Sequence, residues 1–563
     1  MEDAPRRRRP PRAALVSAAA AAASAVLILH RTARDPIQPY GDLGAAHLEH
    51  VVRLRVLQNW RTGPEGLLDR VASFDQEFPP LLHLLTLPAG ALFGHHVEGI
   101  LWTGVLWLFA LAGIVSWTVR LLGGSPTASA AAFTATVLWP AGQAFATRYY
   151  YDLPMTVLLW CLVPVALATW DRKPLAGGAA VGGLITAACL IKWSALALGP
   201  LLAIAVAFCP AASASTSGEA RSIHPRRRAL ALAVAGLVSA AGTFAFAALF
   251  GADSSLAVML DDMWPGLGDA SYSDRFPDPS AALAWVSEHG DRVGRSSFAA
   301  DLPFYPATLV TAHLSLPLAL VLGACLLAWL VFDRRGWVVV VLAVALQWFF
   351  LARALRVLDE RFLITVVPAL LVAGALGWSS IQGSRRTGVA VIGIALALLV
   401  GADVHYGIPS FSPHVDLGLG TSIPVTARGL SIQDSFEQRG WARKDSATPP
   451  RMAARVAINE AVARCPGTRV LMADAPREAS PFGERYWLEY RLLLQELEYG
   501  HPRRYSLDGC TDDRSVDIAV SASEAVPEPP GCFGDGWRVD RIVPLPRFPW
   551  DAAVWVREGV TCR

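Results

Sequence analysis

Asp42 stands where an acidic side chain could serve as a general base. It follows an apolar run closely, within the segment Pro39–His50. A carboxylate at such a boundary could take a proton from an acceptor hydroxyl. An N-cap on the helix that follows is the simpler local interpretation, because Asp is favoured at that position. His47, Glu49 and His50 could bind a metal ion, but one face of a surface helix accounts for them equally well.

A second acidic pair, Asp75 and Glu77, leads into Pro79-Pro80 and a new apolar run. Carboxylates at the edge of an apolar bundle are costly, so they indicate candidate substrate-binding groups. The alternative is a loop that ends the preceding structure, which is all that two prolines require. The local pattern alone leaves both interpretations open.

A third candidate is the short connection Arg148–Pro154, which contains Tyr151 and Asp152. Tyrosines are common at bilayer interfaces whether or not a site is present. An arginine and an aspartate in so short a connection are less expected. Arg148, Tyr151 and Asp152 are therefore substrate-binding candidates.

Three arginines, Arg353, Arg356 and Arg361, lie together between two apolar runs. Guanidinium groups match phosphate oxygens bidentately, so the cluster could hold a phosphate. Lys192, at another turn between apolar runs, could add a point charge. Pairing with neighbouring acids and lipid headgroups is the alternative.

The composition places these residues in a membrane protein. Of the 563 residues, 53% are apolar and 17% are charged, whereas soluble chains carry roughly 25% charged residues. Charged residues are sparse before Val404 and of ordinary frequency after it. The net charge of +2 argues against a nucleic-acid binder, which usually has a strong basic excess. We predict a transmembrane domain at 1–403 and a soluble α/β domain at 404–563.

Apolar runs of about 17–25 residues can cross a bilayer, and they predict about eleven transmembrane helices. The break at Lys192 is the least secure, since two short runs there could be one long one. The runs lie near 13–30, 98–118, 127–146, 153–170, 175–191, 194–209, 229–251, 304–331, 337–352, 362–378 and 388–403.

Basic residues indicate the orientation. Arg6–Arg9 precede the first run and place the N-terminus in the cytoplasm; an uncleaved anchor is favoured there over a signal peptide. Counted alternately, every cytoplasmic connection is then basic, and the soluble domain lies outside. The arginines between 353 and 361 interrupt this bias on the outer side, which favours the phosphate interpretation. The cytoplasmic basic residues are Arg120, Arg172, Lys173, Arg226–Arg228, Arg334, Arg335, Arg385 and Arg386.

The tail predicts a small disulfide-bonded α/β unit. Cys465, Cys510, Cys532 and Cys562 all fall in it, and an oxidising compartment would give two disulfides with three possible pairings. Periodicity predicts helices over 453–463 and 486–497 and strands over 469–472, 516–520 and 552–556. The tail contains no catalytic pattern, so we expect a lid or an acceptor-binding module.

In their order along residues 13–403, these signals resemble the GT-C superfamily of integral-membrane glycosyltransferases. The similarity is to the bacterial branch of protein O-mannosyltransferases and aminoarabinose transferases. Each motif is short, and the resemblance depends on their order and topology. The motifs are Asp42, Phe78-Pro79-Pro80-Leu81-Leu82, Arg148-Tyr149-Tyr150-Tyr151-Asp152-Leu153-Pro154, Ile191-Lys192-Trp193-Ser194, and Glu360-Arg361-Phe362-Leu363 followed by Pro368.

The resemblance implies a polyprenyl-phosphate sugar donor, a hydroxyl acceptor on a lipid, glycan or protein, and inversion at the anomeric carbon. It implies the outer face of a bacterial inner membrane and no required divalent metal or other cofactor. Asp42 would be the base, and Lys192, Arg356 and Arg361 would contact the donor phosphate. Leu43 follows Asp42 where many relatives have a second acid, so the base could instead be one of Asp35, Glu49, Asp75 and Glu77.

Two other classes of function compete with a transferase. A transporter or flippase for a lipid-linked saccharide would place ionisable residues near the middle of its spans and repeat its halves, and the sequence has neither feature. A non-catalytic envelope assembly protein would have the same hydropathy. Substitution of Asp42 by Asn separates it from an enzyme, because a scaffold does not depend on that charge.

Overall fold

The fold is described from a computed structural model. The structure describes residues 12–34, 71, 79–93, 102–146, 149–209, 224–250, 293–294, 305–306, 309, 313–314, 316–332, 343–348, 351, 357–358, 360–381, 414–416, 422–424, 457–458, 460–465, 469–472, 504–506, 518–523, 536–544 and 551–562. The chain divides into two compact units, which are taken separately below. The first contains the described residues up to Pro424, and the second contains those from Ala457 onward.

The first unit is helical. Its helices are α1 (Arg12–Arg34), α2 (Leu81–Phe93), α3 (Thr103–Leu121), α4 (Pro126–Val137), α5 (Pro140–Ala146), α6 (Asp152–Thr169), α7 (Pro174–Cys189), α8 (Ala195–Ala207), α9 (Pro225–Phe250), α10 (Leu316–Phe332) and α11 (Val367–Ile381). A 3₁₀ helix, Glu360–Thr365, precedes α11. The described residues of the unit also form two short antiparallel strand pairs: β1 (Val293–Gly294) with β2 (Val357–Leu358), and β3 (His414–Asp416) with β4 (Ser422–Pro424).

Several of these helices are apolar enough to cross a membrane. Among the described residues, three helices are also long enough to cross it: Thr103–Leu121, Asp152–Thr169 and Pro225–Leu249. Shorter apolar helices cover Ala14–Val26, Pro174–Cys189, Ala195–Ala207 and Val367–Ser379. The unit is therefore a helical membrane protein. The predicted run 388–403 lies outside the described residues, and the count of about eleven spans stays a prediction.

Two features of the predicted runs are resolved by the helix boundaries. The run 127–146 is two helices, because Pro140 lacks a backbone N–H and disfavours helical geometry at Trp139 before it. The single helix expected there is wrong. The break at Lys192 is confirmed, since α7 ends at Cys189 and α8 begins at Ala195.

Small residues allow α7 and α9 to pack closely. A Cβ at Gly178 would collide with the carbonyl oxygen of Ala231, and one at Gly182 would collide with that of Ala235. From the first contact to the second, the residue number rises by four on both helices, so α7 and α9 run parallel. Packing through small residues at a four-residue spacing is a common way for membrane helices to associate.

The second unit is a five-stranded mixed sheet with helical residues against one face. The order across the sheet is β6 (Arg504–Ser506), β5 (Arg469–Met472), β7 (Ile518–Ser523), β9 (Asp551–Arg557) and β8 (Trp537–Val543). Strand β5 is parallel to β6 and β7, whereas β9 is antiparallel to β7 and β8. Ile458 and Val462, on the helical segment, pack against Val470, Ile518 and Val554.

One disulfide, Cys465–Cys562, joins the end of the helical segment to the residues after β9. This bond resolves part of the predicted cysteine pairing. Cys510, Cys532 and the predicted helix over 486–497 lie outside the described residues. The strand predicted over 469–472 is confirmed. The strand predicted over 516–520 is described as Ile518–Ser523, and the one predicted over 552–556 is confirmed with one more residue at each end. Strands β6 and β8 were not predicted.

Candidate functional site

The structure describes three of the predicted site residues with their side chains: Tyr151, Asp152 and Lys192. All three lie at one end of the helical unit. The backbone of Arg361 lies in the 3₁₀ helix, but its side chain is outside the described residues. Also outside are Asp35, Asp42, His47, Glu49, His50, Asp75, Glu77, Arg148, Arg353 and Arg356.

Asp152 and Lys192 form a buried ion pair. Lys192 Nζ lies 2.6 Å from Asp152 Oδ1, and the two side chains are 9% and 1% exposed. The distance is that of a strong, charge-assisted hydrogen bond. Because 40 residues separate the partners, the pair is a product of the fold.

The helix connections bring these two charges together. Asp152 is the first residue of α6, and α7 returns antiparallel to it through the short connection at 170–173. The backbone N–H of Lys192 donates to Ala188 O at 2.9 Å, which turns the chain just after α7 ends. The start of α6 and the end of α7 therefore lie at the same level, and Lys192 reaches across to Asp152.

Two aromatic rings surround the Lys192 ammonium. Lys192 Nζ lies 5.7 Å from the ring centroid of Tyr150 and 5.3 Å from that of Phe362. Both distances are within the range of cation–π attraction. Phe362 is placed by the 3₁₀ helix, whose Thr365 O accepts a hydrogen bond of 2.7 Å from Trp160 Nε1 on α6.

The second oxygen of Asp152 has no hydrogen-bond donor in the described part of the chain. Asp152 Oδ2 is buried and has no hydrogen-bond partner among the described residues. A buried carboxylate oxygen without a donor is costly, and functional sites are where such groups recur. Asp152 can therefore hold Lys192 through one oxygen and accept a hydrogen bond from a hydroxyl or amine through the other.

His83, a residue that the sequence patterns did not single out, connects the tyrosines of this site. It lies on α2 and is fully buried. His83 Nδ1 is 3.0 Å from the Tyr149 hydroxyl, and Nε2 is 2.9 Å from the Tyr151 hydroxyl. The Tyr149 hydroxyl also lies 2.7 Å from Thr86 Oγ1. The sequence feature that could have identified it is a histidine in an apolar helix directly after Pro79-Pro80, because a histidine there is costly unless it is hydrogen-bonded.

The hydrogen-bond donors in this network can be assigned in order. Thr86 Oγ1 donates to Leu82 O, 2.9 Å away and one helical turn back, and so it accepts from the Tyr149 hydroxyl. The Tyr149 oxygen then accepts from His83 Nδ1–H, which leaves Nε2 to accept from Tyr151. Burial raises the pKa of Tyr149 above its usual range, so this phenol stays protonated.

Helix α2 is also joined directly to the turn that carries Lys192. The backbone N–H of Leu81 donates to Leu190 O at 3.0 Å. Four segments therefore converge at one place: residues 79–82, residues 149–154, residues 191–194 and the 3₁₀ helix. These are four of the five motifs in the sequence, and the fifth, at Asp42, lies outside the described residues.

Metal-binding geometry is scarce in the described part of the chain. The one cluster of three potential ligand atoms there is Cys465, Asp540 and Cys562. Its two sulfurs form a disulfide, so they are not thiolate ligands. The cluster is therefore not a metal site in this state.

Solved structures resemble the chain, although no family model and no curated protein sequence matches it. The crystal structure of ArnT from Cupriavidus metallidurans bound to undecaprenyl phosphate aligns over 97% of this chain and 98% of that one, with 14% identity and a TM-score of 0.51. The apo state of the same protein aligns over 96% and 97%, with 13% identity and a TM-score of 0.50. The oligosaccharyltransferase of Archaeoglobus fulgidus is more distant, with coverage of 91% and 69%, 13% identity and a TM-score of 0.44.

The likeness to ArnT extends over nearly the whole of both chains. It shows that this protein has the fold of ArnT, so the fold expected from the resemblance is confirmed. At 14% identity the likeness concerns the fold and leaves the reaction to be argued from the site.

Proposed function

We propose that this protein is a membrane glycosyltransferase that moves a sugar from a polyprenyl-phosphate donor to a hydroxyl group on a lipid, glycan or protein. The observation that carries the proposal is the convergence of four separate motif segments on the Asp152–Lys192 pair, in a chain with the fold of ArnT. The ArnT structure with undecaprenyl phosphate supports a donor of that class. The proposal covers hexose and pentose sugars alike.

In the proposed reaction, the acceptor oxygen attacks the anomeric carbon of the donor sugar. The bond from that carbon to the phosphate oxygen breaks, and the configuration inverts. Asp42 takes the proton of the acceptor hydroxyl as a general base. The polyprenyl phosphate leaves with its negative charge, which Arg353, Arg356 and Arg361 stabilise as it develops.

The described site supplies a preorganised part of this machinery. Lys192 is fixed in position by Asp152 and by two aromatic rings, so its ammonium needs little reorganisation to interact with a neighbouring phosphate. Asp152 Oδ2 can accept a hydrogen bond from a hydroxyl of the substrate. Tyr151, held by His83, completes the same wall of the site. Asp75, Glu77 and Arg148 contribute to substrate binding from the adjoining segments.

The proposal includes a location and a topology. The protein lies in a bacterial inner membrane, with its N-terminus in the cytoplasm and its C-terminal domain in the periplasm. The basic residues at one end of the helices support this orientation. Transfer then takes place at the outer face, where a lipid-linked donor presents its headgroup, and it requires no divalent metal or other cofactor.

The function is tested in cells that lack this protein and carry the wild type or Asp42→Asn at matched expression. Mass spectrometry of envelope lipids, glycans and glycoproteins is the readout. We expect a sugar-sized mass that the wild type restores and Asp42→Asn does not. Equal restoration by both would remove the catalytic role of Asp42 and leave Asp35, Glu49, Asp75 and Glu77 as candidate bases. The absence of any difference among the three strains would contradict a transferase.

The phosphate contacts have a separate test. Arg356→Ala and Arg361→Ala should lower kcat/KM for the donor more than that for the acceptor, because each removes a cation from the leaving phosphate. Arg120→Ala is the matched control, since Arg120 is exposed near the end of α3 and belongs to none of the five motifs. Donor kcat/KM values unchanged in both variants would refute the proposed contacts between these arginines and the phosphate.

A further inference from the structure

A second charged cluster lies away from the site, where α7 and α9 begin. Arg228 donates two hydrogen bonds to Asp171, from Nε to Oδ1 at 3.0 Å and from Nη2 to Oδ2 at 2.8 Å. Asp171 belongs to the connection between α6 and α7, and Arg228 is in the first turn of α9. Arg228 Nη1 also donates to the carbonyl oxygens of Ala207 and Cys209 at the end of α8. We call this arrangement the Asp171 clasp.

The clasp holds four helix ends together and neutralises the one acid near them in the part of the chain that the structure describes. Asp171 and Asp152 are the acidic residues within 149–209 and 224–250, and Asp152 lies at the opposite end of α6. Both oxygens of Asp171 are taken by Arg228, and Arg227 donates to its backbone carbonyl at 2.8 Å. The cations around the clasp therefore have no acidic partner within those described ranges.

Four cationic side chains remain exposed around the clasp. They are Arg172, Lys173, Arg226 and Arg227, two on each of the adjoining segments. Among the described residues, Arg172, Lys173 and Arg226 make no side-chain hydrogen bond or ion pair, so their charges face outward. The parallel packing of α7 and α9 keeps both segments at the same level.

Apolar side chains continue directly from these cations. Leu175, in the first turn of α7, is 60% exposed, and Leu230, in the second turn of α9, is 46% exposed. Leu237 and Phe244 extend this exposed apolar surface along α9, at 71% and 59%. A band of positive charge bordering an apolar helix surface matches a molecule with an anionic head and hydrocarbon tails.

We infer that this surface binds an anionic glycerophospholipid, with the phosphodiester against Arg172, Lys173, Arg226 and Arg227 and the acyl chains along α7 and α9. The site is distinct from the proposed donor site, because the clasp and the Asp152–Lys192 pair lie at opposite ends of α6. The inference does not depend on the proposed glycosyl transfer.

Native mass spectrometry of the full-length protein in detergent, titrated with phosphatidylglycerol and with phosphatidylcholine of the same chains, tests the inference. We expect the wild type to retain phosphatidylglycerol in preference to phosphatidylcholine. The variant Arg172→Gln/Lys173→Gln/Arg226→Gln leaves the clasp intact and should weaken phosphatidylglycerol retention by about fivefold for each charge removed, which corresponds to about 1 kcal/mol per charge. Arg120→Gln, which removes one exposed arginine outside this surface, should retain the lipid as the wild type does.

Two results would overturn the inference. Equal retention of the two lipids by the wild type would show that the cations do not select the headgroup, whether or not the variant folds. Displacement of phosphatidylglycerol by inorganic phosphate, but not by chloride at the same ionic strength, would assign the surface to a free phosphate instead. Retention that falls gradually and equally with either salt is the expected behaviour of an electrostatic lipid contact.

Discussion

Breaking the Asp152–Lys192 pair should destabilise the helical unit strongly. Lys192→Met keeps most of the volume of the side chain and removes its charge, which leaves the Asp152 carboxylate buried without its cation. Asp152→Asn leaves the ammonium beside a neutral amide. In the double variant Asp152→Leu/Lys192→Met, the two charges are removed together and no buried ion remains.

The magnitude follows from the geometry. Two unit charges 2.6 Å apart attract by roughly 6 kcal/mol at an effective dielectric constant of about 20. Each ion loses several kcal/mol of hydration on burial, so the intact pair contributes little net stability. Removing one partner leaves the hydration penalty of the other uncompensated, at about 3–5 kcal/mol. The double variant should lie close to the wild type in stability.

The assay is a double-mutant cycle on the free energy of unfolding in mixed detergent micelles, followed by sugar transfer for each variant. We expect each single variant to lose about 3–5 kcal/mol and the double variant to recover most of that loss. The double variant should still transfer no sugar, because the charges and not the packing act on the substrate. Single losses below about 1 kcal/mol would refute the reasoning, since they are typical of a solvated surface pair.

Three further predictions concern other contacts. His83→Phe removes the ring nitrogens that bond the Tyr149 and Tyr151 hydroxyls and should cost about 1–3 kcal/mol, measured by thermal unfolding, with His83→Gln less harmful; equal effects would contradict the hydrogen-bond network. Burial raises the pKa of Asp171, but Arg228 and His224 together more than offset this and lower it below the usual value, so the stabilisation is present above about pH 4 and is lost as the pH falls through the lower folded value. Asp171→Asn should therefore melt below the wild type at pH 7, and the gap should close toward pH 3; a constant gap would contradict this. Cys465→Ser should destabilise the second unit by up to about 5 kcal/mol in the chain-entropy model, because the Cys465–Cys562 disulfide joins residues 97 positions apart and so closes a long loop. An unchanged melting temperature would show that the bond does not form.

Much of the helical architecture could be predicted from the sequence because membrane helices have a strong signal. A long apolar run bounded by charges is typical of a membrane-spanning helix, and α3, α6 and α9 lie where such runs occur. The break at Lys192 was predictable because a charge between two apolar runs belongs at their ends. The break at Trp139 was not predicted, although Pro140 was its signal, because Pro-containing runs also form continuous kinked helices.

The candidate site was predicted only as a set of separate segments. Sequence order identified Asp152 and Lys192 individually, but their pairing depends on how α6 and α7 align, which no local pattern encodes. His83 was missed because its partners, Tyr149 and Tyr151, lie 66 and 68 residues away along the chain. Strand β8 was missed because it lies at the sheet edge with a bulge at Val539–Arg541, which breaks the alternation of apolar and polar residues.

The central claim is that this protein transfers a sugar from a polyprenyl-phosphate donor. Its most direct test uses the purified full-length protein in liposomes with a radiolabelled polyprenyl-phosphate sugar and an extract of envelope acceptors, at matched amounts of wild type and Asp42→Asn. We expect the wild type to move the label from the lipid to an acceptor and to release polyprenyl phosphate, and Asp42→Asn to do so at least about a hundredfold more slowly, as the loss of a general base requires. Label that stays on the donor with the wild type, across hexose and pentose donors, would contradict the claim.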